Sequence, residues 1–173
     1  MHAYPKAASD HPHGQQFKQQ SHVINLYRKT QGLTGVAWEN LCEYAGVLAY
    51  SIPGAAVHCV DLSRVVSPSV HMQLIADATI HIIPHGGLSY ALAFSRSGSA
   101  AVVLVDLDRQ AREMHIIGHL PWINVAYLHR SDEHLLVLYA VRAATMAQAA
   151  LGMPPQPLPA PFRPAESHSS PPL

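Results

Sequence analysis

Charge is scarce in this chain. Only 13% of its 173 residues are Asp, Glu, Lys or Arg, and 11 basic residues balance 11 acidic ones. No long-range field therefore draws it to nucleic acid or to an anionic membrane. Cysteine is nearly absent. Cys42 and Cys59 are too few for a disulfide framework, and both read as small buried hydrophobes, since spacing cannot show whether their Cβ atoms approach. Long apolar runs are missing too. The longest candidates, residues 78–83 and 100–105, are strand-sized, far below the roughly 20 residues that cross a bilayer. The first 22 residues hold no apolar stretch of the kind found in a secretory signal.

What is present is apolar and punctuated. Hydrophobic residues make up 49% of the chain, which excludes a wholly disordered polar polymer and allows one sizeable core. Residues 1–21 are polar and aperiodic, and residues 152–173 carry 8 of the 14 prolines. Both ends are expected to be disordered; the proline-rich tail reads as solvated or as a ligand for an aromatic groove. The ordered domain is expected over 22–151.

Within it, apolar runs of four to six residues alternate with helical spacing. His22 to Tyr27, Ala56 to Val60, Thr79 to Ile83, Ala100 to Val105 and Ile123 to Leu128 read as strands. Trp38 to Tyr50, the stretch after Ser67-Pro68, Leu88 to Phe94, Gln110 to Gly118 and His134 to Ala150 read as helical, although residues 135–141 also suit a strand. Short strands rich in Val and Ile between helices predict an α/β fold. The expectation is a Rossmann-like, mainly parallel sheet with flanking helices.

Ligands of such sheets sit beyond the carboxyl ends of the strands. There the run Pro84-His85-Gly86-Gly87 ends a strand and opens a helical piece, with Arg96 and Gly98 before the next strand. The two glycines let a ligand approach the backbone. Free N–H groups at the following helix start would accept phosphate, and His85 would donate to a diphosphate or sugar oxygen. A plain turn explains the same residues. No G-x-G-x-x-G follows the first strand, no G-x-S-x-G surrounds Ser89, and no metal site is expected. His115, His119, Asp106 and Asp108 complete no ligand set, and His58 and His81 read as strand-interior residues bonded to backbone.

The stretch from Pro84 to Gly98, with Leu92, Phe94 and Arg96, resembles the most recognisable part of glycosyltransferase family 61, and the order of elements is similar over residues 22–130. That resemblance implies the C-terminal half of a two-domain GT-B enzyme. Such a half holds a UDP-sugar donor for inverting transfer to a glycan or protein hydroxyl, in the ER or Golgi lumen, with an N-terminal acceptor domain outside this chain. It places donor contacts at Arg28, His85, Gly86, Gly87 and Arg96, with Glu39 as a base or ribose contact. No separate cofactor is implied. Several polar positions of the family pattern are replaced here: its asparagine by Ala91, its glutamate by Val103, a glutamine by His71 and an aspartate by Thr79, while its alanine is Gly87. Scaffold residues persist while polar contacts are lost. A non-catalytic nucleotide-binding or structural domain of the same descent is the alternative.

Overall fold

The computed structural model describes residues 22–28, 39–61, 64, 67–87, 89–105 and 117–152. The expectations for residues 1–21 and 153–173, and most of the expected helix at Gln110 to Gly118, lie outside these. Five strands form one sheet: β1 (Val23–Arg28), β2 (Ala56–Asp61), β3 (Ile80–Pro84), β4 (Ala100–Val105) and β5 (Asn124–His129). Their order is β2-β1-β3-β4-β5 and every pairing is parallel. Helix α1 (Ala45–Ser51), entered through a 3-10 turn at Glu39–Tyr44, and helix α3 (Leu136–Ala150) share one face of the sheet; α2 (Pro68–Asp77) lies on the other. The chain is a parallel sheet flanked by helices, Rossmann-like in general topology.

The apolar runs become strands because each side of the central ones is buried. Even-numbered residues Ile24, Leu26, Ile80, Ile82, Val102 and Leu104 pack under α1 and α3. Odd-numbered Tyr27, Ile83, Ala101, Val103 and Val105 pack on the α2 side with Ile75 and Leu92. A side-chain period of two with both faces covered produces unbroken apolar runs, not alternation. Residues 135–141, which suit either state, are helical. Six alanines in α3 favour the helix, and Leu136, Ala140, Ala143, Ala144 and Ala147 line its sheet-facing stripe.

Edge strand β2 is the least covered. Ala56, His58 and Cys59 are exposed, and Val60 is its buried apolar residue. The expectation of two buried thiols is corrected here: Cys42 and Cys59 form a disulfide, with Cα atoms 5.5 Å apart. It ties β2 to the 3-10 turn ahead of α1. Covalent attachment thus supplements burial on the strand that has least of it.

A polar cluster lies under α2. Asn25 Nδ2 donates to the Leu74 carbonyl (2.8 Å) and to the Tyr27 hydroxyl (3.1 Å), and Tyr27 Oη lies 3.3 Å from both that carbonyl and His81 Nδ1. Donor arithmetic selects one tautomer: with Nδ1–H donating to Tyr27, the hydroxyl is free to donate to Leu74. His81 Nε2 then stays a bare acceptor, without a partner among the described residues. A bare buried acceptor is better tolerated than a bare N–H. His81 is therefore bonded to a side chain, not to backbone as the sequence implies, and His58 is exposed instead of interior.

Two measurements check this account. Replacing Cys42 and Cys59 by serine should lower the unfolding free energy in urea by about 2–4 kcal/mol, the usual effect of opening a loop of this length. The second concerns acid. Burial holds the His81 imidazole down at about 4, against an ordinary value of 6.5. Between those values the unfolded chain binds a proton that the folded chain refuses, so stability should fall as pH drops from 6.5 towards 4. The loss is on the order of 3 kcal/mol at most. His22, also lowered by burial, acts in the same direction. In His81→Leu the slope of unfolding free energy against pH over this window should flatten.

Candidate functional site

Because the chain runs from β1 out to β2 and then returns across β1 to β3, the sheet has a switch point between β1 and β3. In open α/β sheets the carboxyl edge at such a switch point is where ligands bind. The β1–β3 pairing runs as far as Leu26 with Ile82, so Arg28 and Pro84 each lie two residues beyond the last paired residues, at the carboxyl ends of adjacent strands. His85 follows, and its N–H donates to the Leu104 carbonyl (2.8 Å), so it sits just beyond the strand end. Arg28, His85, Gly86 and Gly87 thus lie at the carboxyl edge of adjacent strands.

The turn after β3 requires glycine once. Gly86 has φ +136°, which other residues rarely adopt. A Cβ at Gly87 would meet nothing within 4 Å. The alanine of the family pattern fits at that position. The short helical piece expected over Leu88 to Phe94 is a 3-10 helix, Ser89–Phe94. Its first residue closes back on the glycine turn: Ser89 N–H (2.8 Å) and Oγ (2.7 Å) both donate to the Gly86 carbonyl. The expected phosphate seat at this helix start is therefore not built from Ser89. Among the described residues, the remaining backbone donors of the turn are those of Gly86 and Gly87.

Arg28 carries the charge of this edge. Its Nη2 lies 3.5 Å from Asp61 Oδ2, and Arg64 Nε is also 3.5 Å from that oxygen. Asp61 ends β2 in register with Arg28, so the ion pair spans neighbouring strand ends. The Arg28 side chain is 33% exposed and Asp61 18%, while Arg64, at 83%, is largely solvated. Two guanidinium groups around one carboxylate leave one net positive charge. A multiply charged anion would compete with Asp61 for these donors.

Arg96 is not brought to this edge. Its carbonyl accepts from Ser99 N–H (3.1 Å) and Oγ (2.7 Å), just before β4 begins, and Gly98 N–H donates to the Trp122 carbonyl just before β5. Those are amino ends of strands. Four residues of β4 at about 3.3 Å each separate this turn from the Leu104 level, a distance of roughly 13 Å. Gly98 fixes the turn against α3: its φ is +86°, and a Cβ there would lie 3.0 Å from Leu151. Sequence proximity to the glycine turn hides this, because the 3-10 turn carries the chain back across the sheet.

The substituted family positions are structural here. Val103 is fully buried in the core on the α2 side, where a carboxylate would be enclosed. Thr79 Oγ1 donates to Val23 O (3.2 Å) and accepts from Val23 N–H (3.0 Å), pinning β1 to β3 at the amino edge. His71 lies one turn ahead of buried Ile75 on α2, with its Nε2 buried and no partner for it among the described residues. Of the histidine and aspartate group weighed for metal, only His119 is described, and it is exposed. The side chain of Glu39 lies outside the description.

Sequence reasoning missed Asp61 and Arg64 as partners of Arg28. It also missed a concavity of about 570 Å³ on the α2 side of β2, lined by Asn25, His58, Asp61, Arg64, Leu74 and Asp77 among others. Asp61 closing the second strand was the available signal, since parallel strands place their last residues side by side. Among the described residues no group of three metal-ligating side chains is assembled. No described helix is long and apolar enough to cross a membrane. Compared with known protein families, the chain matches no family model. No curated protein matches it either.

Proposed function

We propose that this chain is the donor-side domain of a glycosyltransferase of the family 61 type, the half that in a GT-B arrangement holds a UDP-sugar. One observation supports the reading: Arg28 and the His85-Gly86-Gly87 turn end the adjacent strands β1 and β3 at the switch point, where open α/β sheets bind ligands. In this reading Arg28 exchanges Asp61 for a diphosphate oxygen, and the amides of Gly86 and Gly87 and the His85 ring donate to the remainder. Their role is to hold the donor and to offset charge that grows on the leaving diphosphate. Arg96 falls away from this set, given its place at the amino edge.

Inverting transfer also needs a base to deprotonate the acceptor hydroxyl, and a glycan or glycoprotein acceptor needs a surface of its own. Both belong, in this proposal, to an N-terminal domain outside the chain. The Cys42–Cys59 disulfide supports the accompanying placement in the ER or Golgi lumen, because disulfides persist in oxidising compartments. A second reading, a non-catalytic α/β domain of this descent, is favoured by two contacts: Arg28 is already paired with Asp61, and Ser89 is turned inward onto Gly86.

Calorimetry with UDP and UDP-sugars on the folded chain separates the two. Donor binding predicts measurable heat, weakened about tenfold or more in Arg28→Ala, since a hydrogen bond to a charged group is worth about 1.5–3 kcal/mol. His85→Ala should also weaken it and Arg96→Ala should not, while Asp61→Asn, by freeing Arg28, should tighten it. No heat at millimolar UDP would leave the structural reading standing. A further expectation concerns turnover. With labelled UDP-xylose or UDP-N-acetylglucosamine and glycan or peptide acceptors, the isolated chain should transfer no sugar, because the positioning of two substrates, about 7–11 kcal/mol at its best, needs both domains.

A further inference from the structure

The described chain ends where its prolines begin. Helix α3 stops at Ala150, and the next residue packs on the turn before β4: a Cβ on Gly98 would lie 3.0 Å from the Leu151 side chain. Gly98 N–H in turn donates to the Trp122 carbonyl (2.8 Å), two residues ahead of β5. Residue 153 therefore leaves the fold at the amino edge of the sheet, and one hydrogen bond separates its exit from Trp122. Large rings are exposed there. Trp122 is 38% exposed, Pro121 beside it is exposed, and Phe94, four residues before Gly98, is 58% exposed. Val70 and Leu138, also exposed, occupy the first turns of α2 and α3, which start at the opposite edge.

The segment that leaves has a pattern such rings accept. Residues 154–164 read PPQPLPAPFRP, six prolines in 11 residues. That density favours the polyproline II helix, with three residues per turn and about 3.1 Å per residue, so every third residue shares a side. One side collects Pro155, Leu158, Pro161 and Pro164 and is apolar throughout; Gln156 and Arg163 fall on the other two. Polyproline segments bind aromatic-lined surfaces because their conformation is set beforehand and little ordering remains.

We propose that residues 154–164 dock in cis on the amino edge, the side bearing Pro155, Leu158 and Pro161 covering Trp122 and Phe94. Reach is ample, since 11 residues in this form span about 34 Å, several strand spacings. The tether selects this occupant over a separate polypeptide. Pro155 follows Leu151 by four residues, and Leu151 is fixed against Gly98. A short link holds its ligand at an effective concentration in roughly the millimolar range, so even a contact of millimolar strength forms with no partner added. The docked segment lies at the edge opposite Arg28 and His85, so the proposal is independent of any donor site there.

The test follows the Trp122 indole N–H resonance of the full chain by NMR, assigned with Trp122→Phe. Pro155→Ser, Leu158→Ser and Pro161→Ser together should shift it. Pro154→Ser with Pro157→Ser, on another side of the polyproline helix, should shift it less than half as far. All five positions lie beyond α3, so the sheet and its helices keep every residue. A synthetic peptide of residues 153–165 at a concentration of about 5 mM should return the signal of the triple variant towards its native position. The native chain, already occupied, should respond at least fivefold less to the same peptide. Its signal should also keep one position between about 20 and 500 μM protein. A Trp122 signal indifferent to the triple substitution, or moved equally by both sets, would overturn the proposal. So would a position that varies with protein concentration, because the segment would then be covering a second copy.

Discussion

The register of β1 against β3 governs this molecule. It aligns Ile24 with Ile80 and Leu26 with Ile82 in the core beneath α1 and α3, and the same alignment brings the carboxyl ends of β1 and β3 to one edge of the sheet. A slip of one residue would exchange the faces of Leu26 and Tyr27, mispack both layers and displace Arg28 along the sheet edge. Core packing and the geometry of the carboxyl edge are therefore consequences of a single ladder. Thr79, bonded to both backbone groups of Val23, anchors that ladder at its other end.

Around this axis the sheet is unevenly protected. β3 and β4 are buried throughout, whereas β2 leaves half its residues exposed and borders a concavity on the α2 side. Two devices offset the deficit. The Cys42–Cys59 bond holds β2 from the α1 side, and Asn25 and Tyr27 hold α2 down through the Leu74 carbonyl. The second device depends on a neutral His81 in the middle of the sheet. Burial also pushes the Tyr27 hydroxyl well above its ordinary value, so the whole cluster works uncharged.

The elements were legible because period and punctuation are local. All five strands fall within a residue or two of the apolar runs, and Ser67-Pro68 marks the start of α2. Less legible were the 3-10 turns at Glu39–Tyr44 and Ser89–Phe94, whose spacing mimics an α-helix over so few residues. The carboxyl edge was half legible. Residues at strand ends, such as Arg28 and His85, can be placed once the strands are known to be parallel. Arg96 was misplaced because nothing in eleven residues of sequence says that the chain has crossed the sheet before reaching it.

By itself, then, the sequence determined what local chemistry dictates: an α/β fold, buried strands rich in Val and Ile, a glycine turn after the third strand, and a domain short of surface charge. Tertiary structure decided everything that depends on which strand neighbours which. It set the order β2-β1-β3-β4-β5, paired Arg28 with Asp61, joined Cys42 to Cys59 and enclosed His81 beside Tyr27. These partners are 17 to 54 residues apart in the chain. No periodicity reaches that far, and only the folded sheet brings such residues within bonding distance.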